Sequence, residues 1–325
     1  MTARLGTAVA ILTLAVALPA TAQPPKLSLP LDCDIGRTCY IEDYVDTDPG
    51  PGQRDYTCGI KSRDDHRGID FMLLSFDDME AGVNVLAAAS GTVAATRDGM
   101  ADTPVTAETR DAIRGQECGN AVRVDHGDGW QTLYCHMKQG SLNVRQGDMV
   151  KAGDVLGQVG LSGLTNAPHV HLGVLRDGQI VDPFAPDARD TCGAPLDQSL
   201  WEIALPYDPA GLFTAGFSTA VPEFEAVRSG AARANTAQPD QPIVLYGHVF
   251  YAQPGDLLTL TAEGPQGEIF THEIALDAPQ AQLFRAFGRK APEGGWEPGD
   301  YRGYVRLTRG ETILAVRHAD ITIAP

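Results

Sequence analysis

The chain has 325 residues, enough for about two domains of ordinary size, and its hydrophobic content of 43% is normal for a globular protein. Its 42 acidic and 25 basic residues give a formal net charge of −17. This charge argues against nucleic acid and anionic membrane surfaces as partners, because both are bound largely through Lys and Arg. The 35 Gly and 22 Pro favour a β-rich architecture with many turns over a helix bundle.

Residues 1–22 have the pattern of a secretory signal peptide. Arg4 supplies a positive start, Leu5 to Leu18 form a short apolar run, and Ala20-Thr21-Ala22 offers small residues for cleavage. The run is shorter than the ~20 residues that span a bilayer. We therefore expect a secreted, periplasmic protein with no integral membrane segment once the signal is removed.

The cysteines fit an oxidising compartment, where disulfides persist. There are six: Cys33, Cys39, Cys58, Cys118, Cys135 and Cys192. None are spaced C-x-x-C, which argues against a metal cluster. Cys118 and Cys135 flank a predicted hairpin around Gly127-Asp128-Gly129, and we expect them to pair. The remaining pairings stay open.

Hydrophobic patterning predicts an all-β protein. After the signal, an irregular Cys- and Pro-rich arm covers residues 23–60. Short apolar runs between turns predict an antiparallel β domain over residues 61–187, which a charged, partly helical insertion at 97–116 interrupts. A transitional linker is expected over 188–240. Six further strand patterns predict a C-terminal β-sandwich over 241–325.

Two short motifs carry candidate chemistry. In His66-Arg67-Gly68-Ile69-Asp70, a histidine and a carboxylate stand four apart before an apolar strand. In Pro168-His169-Val170-His171, the two histidines share one face of a strand, because side chains alternate along it. His136 ends the second strand of the predicted hairpin. Imidazole and carboxylate groups are the ligands that zinc favours.

These motifs, in this order, resemble the lysostaphin-type (LytM-domain) murein endopeptidases of peptidase family M23. The resemblance also includes Val150 to Gly163 (VKAGDVLGQVGLSG) and Tyr134-x-His136-Met137, and it covers about residues 60–186. It implies a groove-bearing antiparallel β-sheet domain. Ala167 and Leu172 depart from the family's frequent Gly and Phe, which leaves the shape of the groove open.

The resemblance also implies roles for the five polar side chains. His66, Asp70 and His171 would ligate one Zn²⁺ per chain, and His136 and His169 would be catalytic without binding metal. We expect His169 to accept a proton from the attacking water and His136 to stabilise the oxyanion, although the two roles could be exchanged. The other histidines lack such spacing and are expected to be structural: His126, His248, His272 and His318.

The predicted function is that of a secreted zinc metalloendopeptidase acting on peptide bonds in peptidoglycan stems or cross-bridges. The alternative is a non-catalytic LytM-like regulator of another cell-wall hydrolase. Degenerate members of that kind typically lose metal ligands, whereas this sequence keeps all five positions. The sequence leaves open the scissile bond, the oligomeric state and whether residues 97–116 occlude the groove.

Overall fold

The computed structural model describes residues 23–106, 109–188, 191–193 and 198–324. The predicted signal peptide lies outside these residues. The described chain is predominantly antiparallel β-structure, which confirms the predicted fold class. No helix in this part of the chain is long and apolar enough to cross a membrane.

The first half of the chain is built on one large sheet with the strand order β1-β2-β9-β6-β5-β4-β7, to which β10 is added beside β9. Two further strands, β3 and β8, pair separately. The strands are β1 (Cys39–Ile41), β2 (Ile69–Leu73), β3 (Asn84–Leu86), β4 (Gly91–Arg97), β5 (Asn120–Gly127), β6 (Trp130–Met137), β7 (Met149–Val150), β8 (Val155–Gln158), β9 (His169–Arg176) and β10 (Gln179–Ile180). Helix α1 (Phe76–Ala81) follows β2, and a 3₁₀ turn (Arg110–Ile113) lies in the predicted insertion.

The β5–β6 hairpin closes where the sequence predicted it. Gly127 pairs with Trp130 across a two-residue loop. Asp128 and Gly129 in that loop both have positive φ (51° and 79°), the backbone conformation that tight hairpin turns require and that Asp-Gly tolerates. The hairpin places the end of β6 beside the segment that contains Cys118.

The second half of the chain forms two further sheets. A three-stranded sheet has the order β11-β13-β16, and a five-stranded sheet has the order β12-β18-β17-β14-β15. The elements are β11 (Gly211–Ser218), α2 (Phe224–Ser229), β12 (Thr236–Ala237), β13 (Ile243–Ala252), β14 (Asp256–Gly264), β15 (Gly267–Ala275), β16 (Gln280–Arg289), β17 (Gly299–Arg309) and β18 (Thr312–Ile323). The expected linker, 188–240, thus contains β11, α2 and β12; the proposed division into domains stays a prediction.

Strand β2 joins two hydrophobic cores. Ile69, Phe71 and Leu73 point into the core of the large sheet, whereas Met72 points the other way and packs in the core of the C-terminal half. This is the period-two alternation of a strand that is buried on both faces. Asp70 shares the face of Met72, and it therefore lies on the side of the large sheet that meets the C-terminal half.

Three disulfides link the described residues: Cys33–Cys39, Cys58–Cys192 and Cys118–Cys135. The last is the pair predicted from the hairpin. The other two tie the arm, one within itself and one to the segment that follows the large sheet. Such bonds fit an oxidising compartment.

Candidate metal centre and active site

The pairing of β2 with β9 brings the two sequence motifs together. Asp70 lies opposite His171, and Met72 lies opposite His169. Directly opposed residues of antiparallel strands point to the same face, with their Cβ atoms about 5 Å apart. Residues 101 positions apart in the chain are thus neighbours in space.

Three nitrogen and oxygen donors converge at this point. The His171 Nδ1 atom lies 2.8 Å from Asp70 Oδ1 and 3.2 Å from His66 Nε2, and His66 Nε2 lies 3.1 Å from Asp70 Oδ2. Donors held about 2.0–2.1 Å from a tetrahedral ion are separated by roughly 3.3 Å. The residues present therefore fit a single divalent ion, and the two-imidazole, one-carboxylate set is chemically suited to zinc.

His136 reaches this face by leaving regular strand geometry. Continued alternation along β6 would place it with Tyr134, which is buried in the core of the large sheet. Instead His136 adopts a left-handed φ of 61°, and its ring centroid lies 4.6 Å from that of His169. Its backbone N–H donates to Cys118 O (2.8 Å), and its carbonyl accepts from Gly160 N (3.0 Å). These bonds hold a conformation that a non-glycine residue rarely adopts.

Hydrogen bonds to carbonyl groups fix the tautomers of the two histidines. His136 Nδ1 bonds to Ser162 O (2.8 Å) and His169 Nδ1 bonds to Ala167 O (2.9 Å). A carbonyl oxygen only accepts, so each Nδ1 carries the proton. Burial, together with His169 and His171 nearby, holds the pKa of His136 well below its usual range, and burial also lowers the pKa of His169, although Asp70 opposes this. Both side chains are therefore neutral at physiological pH, with Nε2 available to accept a proton.

The pKa values of the three converging groups, His66, Asp70 and His171, shift in different directions. Burial alone would raise the pKa of Asp70, but the surrounding histidines hold it well below its usual range. Burial lowers the pKa of His171, with Asp70 opposing. Burial would also lower the pKa of His66, but Asp70 beside it raises the pKa above its ordinary value. Asp70 is therefore an ionised carboxylate, the form that a metal requires.

Arg63, Asp43 and Gly68 support this site through contacts that the motifs did not reveal. The guanidinium of Arg63 forms ion pairs with Asp70 and, at 2.7 Å, with Asp43. Gly68 leaves room for the His171 ring, because a Cβ at this position would lie 2.5 Å from His171 Nε2. Gly68 is part of the quoted motif, but only the fold shows what it contacts. Arg63 and Asp43 stand in no recognisable spacing, so tertiary structure was needed to find them.

A cavity of about 320 Å³ adjoins the site. His169 and Asp70 line it on one side, Glu42 lies at its wall, and Tyr251 and Gln282 close it from the C-terminal half. Burial beside Asp43 raises the pKa of Glu42 to about 7. Residues far apart in the chain thus share one polar cleft beside the two neutral histidines.

The segment that contains the five polar side chains of the site resembles known proteins. Residues 64–183 match the model of peptidase family M23. The cell division protein DipM of Caulobacter vibrioides is 38% identical over 82 residues, which cover 25% of this chain and 12% of that protein. The DD-carboxypeptidase/endopeptidase Mpg of Neisseria meningitidis serogroup B is 39% identical over 67 residues, which cover 21% and 15%. The matched segments are therefore a small part of these relatives.

Among solved structures, the catalytic domain of the prophage-encoded M23 protein EnpA from Enterococcus faecalis is 23% identical. That match has a TM-score of 0.33 and covers 50% of this chain and 96% of the other. The catalytic domain of lysostaphin from Staphylococcus simulans is 27% identical, with a TM-score of 0.27 and coverages of 41% and 86%. The family match contains both motifs that β2 and β9 place together, and residues 64–183 therefore resemble a domain of peptidase family M23.

Proposed function

We propose that this protein is a zinc metalloendopeptidase that hydrolyses peptide bonds in peptidoglycan stems or cross-bridges. The observation that carries the proposal is the joint geometry of the cleft. His66, Asp70 and His171 converge at ion-binding distances, and His136 and His169, both neutral and buried, adjoin them. One ion per chain would occupy this three-donor group.

His66, Asp70 and His171 would hold the zinc ion, which when bound supplies Lewis acidity toward a water and a scissile carbonyl. The protein's own groups then handle the protons. His169 Nε2 lies 3.7 Å from Asp70 Oδ1 and so faces the site, where it accepts a proton from the attacking water. The Nε2 of His136 has no hydrogen-bond partner among the described residues, so it can take a proton from solvent as negative charge develops beside it and donate that proton in a hydrogen bond to the oxyanion. His169 then passes the proton of the attacking water to the leaving amine. Both rings donate a hydrogen bond from Nδ1 to a carbonyl oxygen and leave Nε2 free to react, so the two roles could be exchanged.

Peptidoglycan as substrate is supported by the family match and by one relative named as a carboxypeptidase and endopeptidase. The disulfides support action outside the cytosol, and the signal-like residues 1–22 support export to the periplasm. The alternative is a non-catalytic regulator of another wall hydrolase. The three converging donors and the two neutral histidines beside them favour catalysis.

The test combines zinc stoichiometry with turnover. Zinc-loaded protein is incubated with purified sacculi, and released muropeptides are identified by mass spectrometry. We expect cleavage of stem or cross-bridge peptides by the wild type. In the His169→Ala variant, turnover should fall by about 10²–10⁴-fold with zinc still bound at one per chain. In the His66→Ala variant, zinc should be lost as well.

His272→Ala is the matched control, because His272 lies on β15 and packs on Phe287 in the C-terminal half. It should keep both zinc and turnover. Loss of zinc in the His169→Ala variant would show that the division between ligands and catalytic groups is wrong. Zinc binding without any muropeptide release would favour the regulator.

A further inference from the structure

Tyr251 reaches the metal site from the other half of the chain. Its phenol donates a hydrogen bond to the Asp43 carboxylate, 208 residues away. Asp43 in turn forms an ion pair with Arg63 Nε (2.7 Å), and Arg63 contacts the Asp70 carboxylate. A continuous chain of polar contacts therefore runs from strand β13 to one of the three converging donors.

The backbone of β13 is distorted where this contact begins. Tyr251 has a φ of 49°, a left-handed conformation that is rare for a bulky residue. The β13–β16 register runs unshifted past this residue, from Phe250–Gln282 to Ala252–Gln280, so the distortion is confined to Tyr251 itself. Residues held in such sparsely populated backbone conformations are frequent at functional sites. Here Tyr251 is 3% exposed and contacts a carboxylate of the first half of the chain.

Arg63 needs this support because packing does not hold it. Its side chain is 56% exposed, whereas those of Asp43 and Asp70 are 4% and 1% exposed. An exposed arginine samples many rotamers unless more than one partner binds its guanidinium. Asp43 binds Nε while Asp70 binds Nη2, so two carboxylates hold the guanidinium. Asp43 is itself aligned by the backbone, since Asp70 N donates to Asp43 O (2.9 Å).

We propose that Tyr251 is a positioning residue of the metal centre, which acts through Asp43 and Arg63 to orient the Asp70 carboxylate. The inference rests on the proposed function, and it makes the C-terminal half part of the catalytic apparatus. Partners behind the ligands of a metal site typically change its affinity 10–100-fold when removed.

The test uses the full chain with single substitutions. Tyr251→Phe removes only the hydroxyl, and it should weaken zinc binding about 10-fold in competition with a chromophoric chelator. It should also shift the visible absorption of the Co²⁺-substituted protein and lower kcat with KM unchanged. Asp43→Asn should weaken zinc binding further, because the carboxylate that aligns Arg63 is then neutral.

Arg317→Met is the matched control. Arg317 also joins the two halves, through a 2.7 Å hydrogen bond to Gly36 O, but it has no link to Asp43 or Asp70. This variant should lower the urea midpoint and leave zinc affinity within twofold. A general loosening of the interface would instead weaken zinc binding in the Arg317→Met and Tyr251→Phe variants alike, which would overturn the proposal.

A metal-free measurement separates this inference from the proposed function. In the apo protein, the Nε–H of Arg63 should give an NMR signal with a chemical shift distinct from that of mobile arginine side chains. In the Tyr251→Phe variant, this signal should move to the chemical shift of the mobile side chains. An unchanged signal, or wild-type zinc affinity in both the Tyr251→Phe and Asp43→Asn variants, would refute the positioning role. Failure of the wild type to bind zinc would instead refute the proposed function, whatever the Arg63 signal shows.

Discussion

The Cys118–Cys135 disulfide adjoins a catalytic candidate, and its removal should affect both stability and turnover. The bond closes a 17-residue separation around the β5–β6 hairpin. A loop of that length contributes about 3 kcal/mol to the free energy of unfolding by restricting the unfolded chain. The Cys118→Ala/Cys135→Ala variant should therefore unfold about 3 kcal/mol more easily.

The effect on turnover follows from the backbone of His136. Its left-handed conformation costs roughly 1–2 kcal/mol, and Cys118 helps to hold it through the disulfide and through its carbonyl. The Cys118→Ala/Cys135→Ala variant keeps the backbone hydrogen bonds but loses the covalent link. If that link offsets about 1.4 kcal/mol of the cost, roughly one molecule in ten keeps the ring in place without it. We expect kcat to fall about 10-fold, with KM and zinc content unchanged.

Urea unfolding without reductant and steady-state kinetics on a defined muropeptide measure the two effects. Cys33→Ala/Cys39→Ala is the control, because that bond closes a separation of only six residues in the arm, worth about 2 kcal/mol, and is not bonded to His136. It should lower stability without changing kcat. If the Cys118→Ala/Cys135→Ala variant loses stability but keeps full kcat, the disulfide does not position His136.

Three further predictions follow from single sites. Gly68→Ala should weaken zinc binding at least 10-fold, because the added Cβ would meet His171. Gly173→Ala on β9 is the control and should bind zinc normally, since its Cβ would have no neighbour closer than 3.7 Å. Equal zinc affinities of the two variants would contradict this prediction. Burial raises the pKa of Asp182 to about 7, so its ionisation opposes folding increasingly as pH rises above the unfolded value near 3.8. The stability of Asp182→Asn relative to wild type should therefore increase by about 2.6 kcal/mol from pH 5 to pH 8 in urea titrations, and a flat difference would disprove it. Finally, zinc at 100 times its Kd should stabilise the wild type by about 2.7 kcal/mol, a gain that chelator removes and that His66→Ala should lack.

The sequence predicted the strands and the two motifs because both depend on local pattern. Alternation identified the β9 face that carries His169 and His171, and the Asp-Gly turn located the hairpin. The facing strands also predicted Cys118–Cys135. The other two disulfides lie in or join irregular segments, where no periodicity places one cysteine opposite another.

The remainder of the site depends on contacts that no local pattern encodes. Arg63 and Asp43 are ordinary charged residues in sequence, and Tyr251 lies in a segment that predicts only a packed strand. Their meeting requires the C-terminal half to lie against β1 and β2. Similarly, the motif located His136, but its turn toward His169 depends on a backbone conformation imposed by neighbours.

Lys61 has a consequence for how this protein can be shortened or recombined. Its buried ammonium donates to Ile41 O (2.7 Å) and Asp208 O (2.8 Å), and it lies 5.1 Å from the ring centroid of Phe250. Part of the shell around this cation therefore comes from beyond residue 183. A fragment that keeps Lys61 but ends at residue 183 would leave this charged group in an incomplete shell. We expect the two halves to tolerate exchange with foreign modules only if the surroundings of Lys61 are exchanged with them.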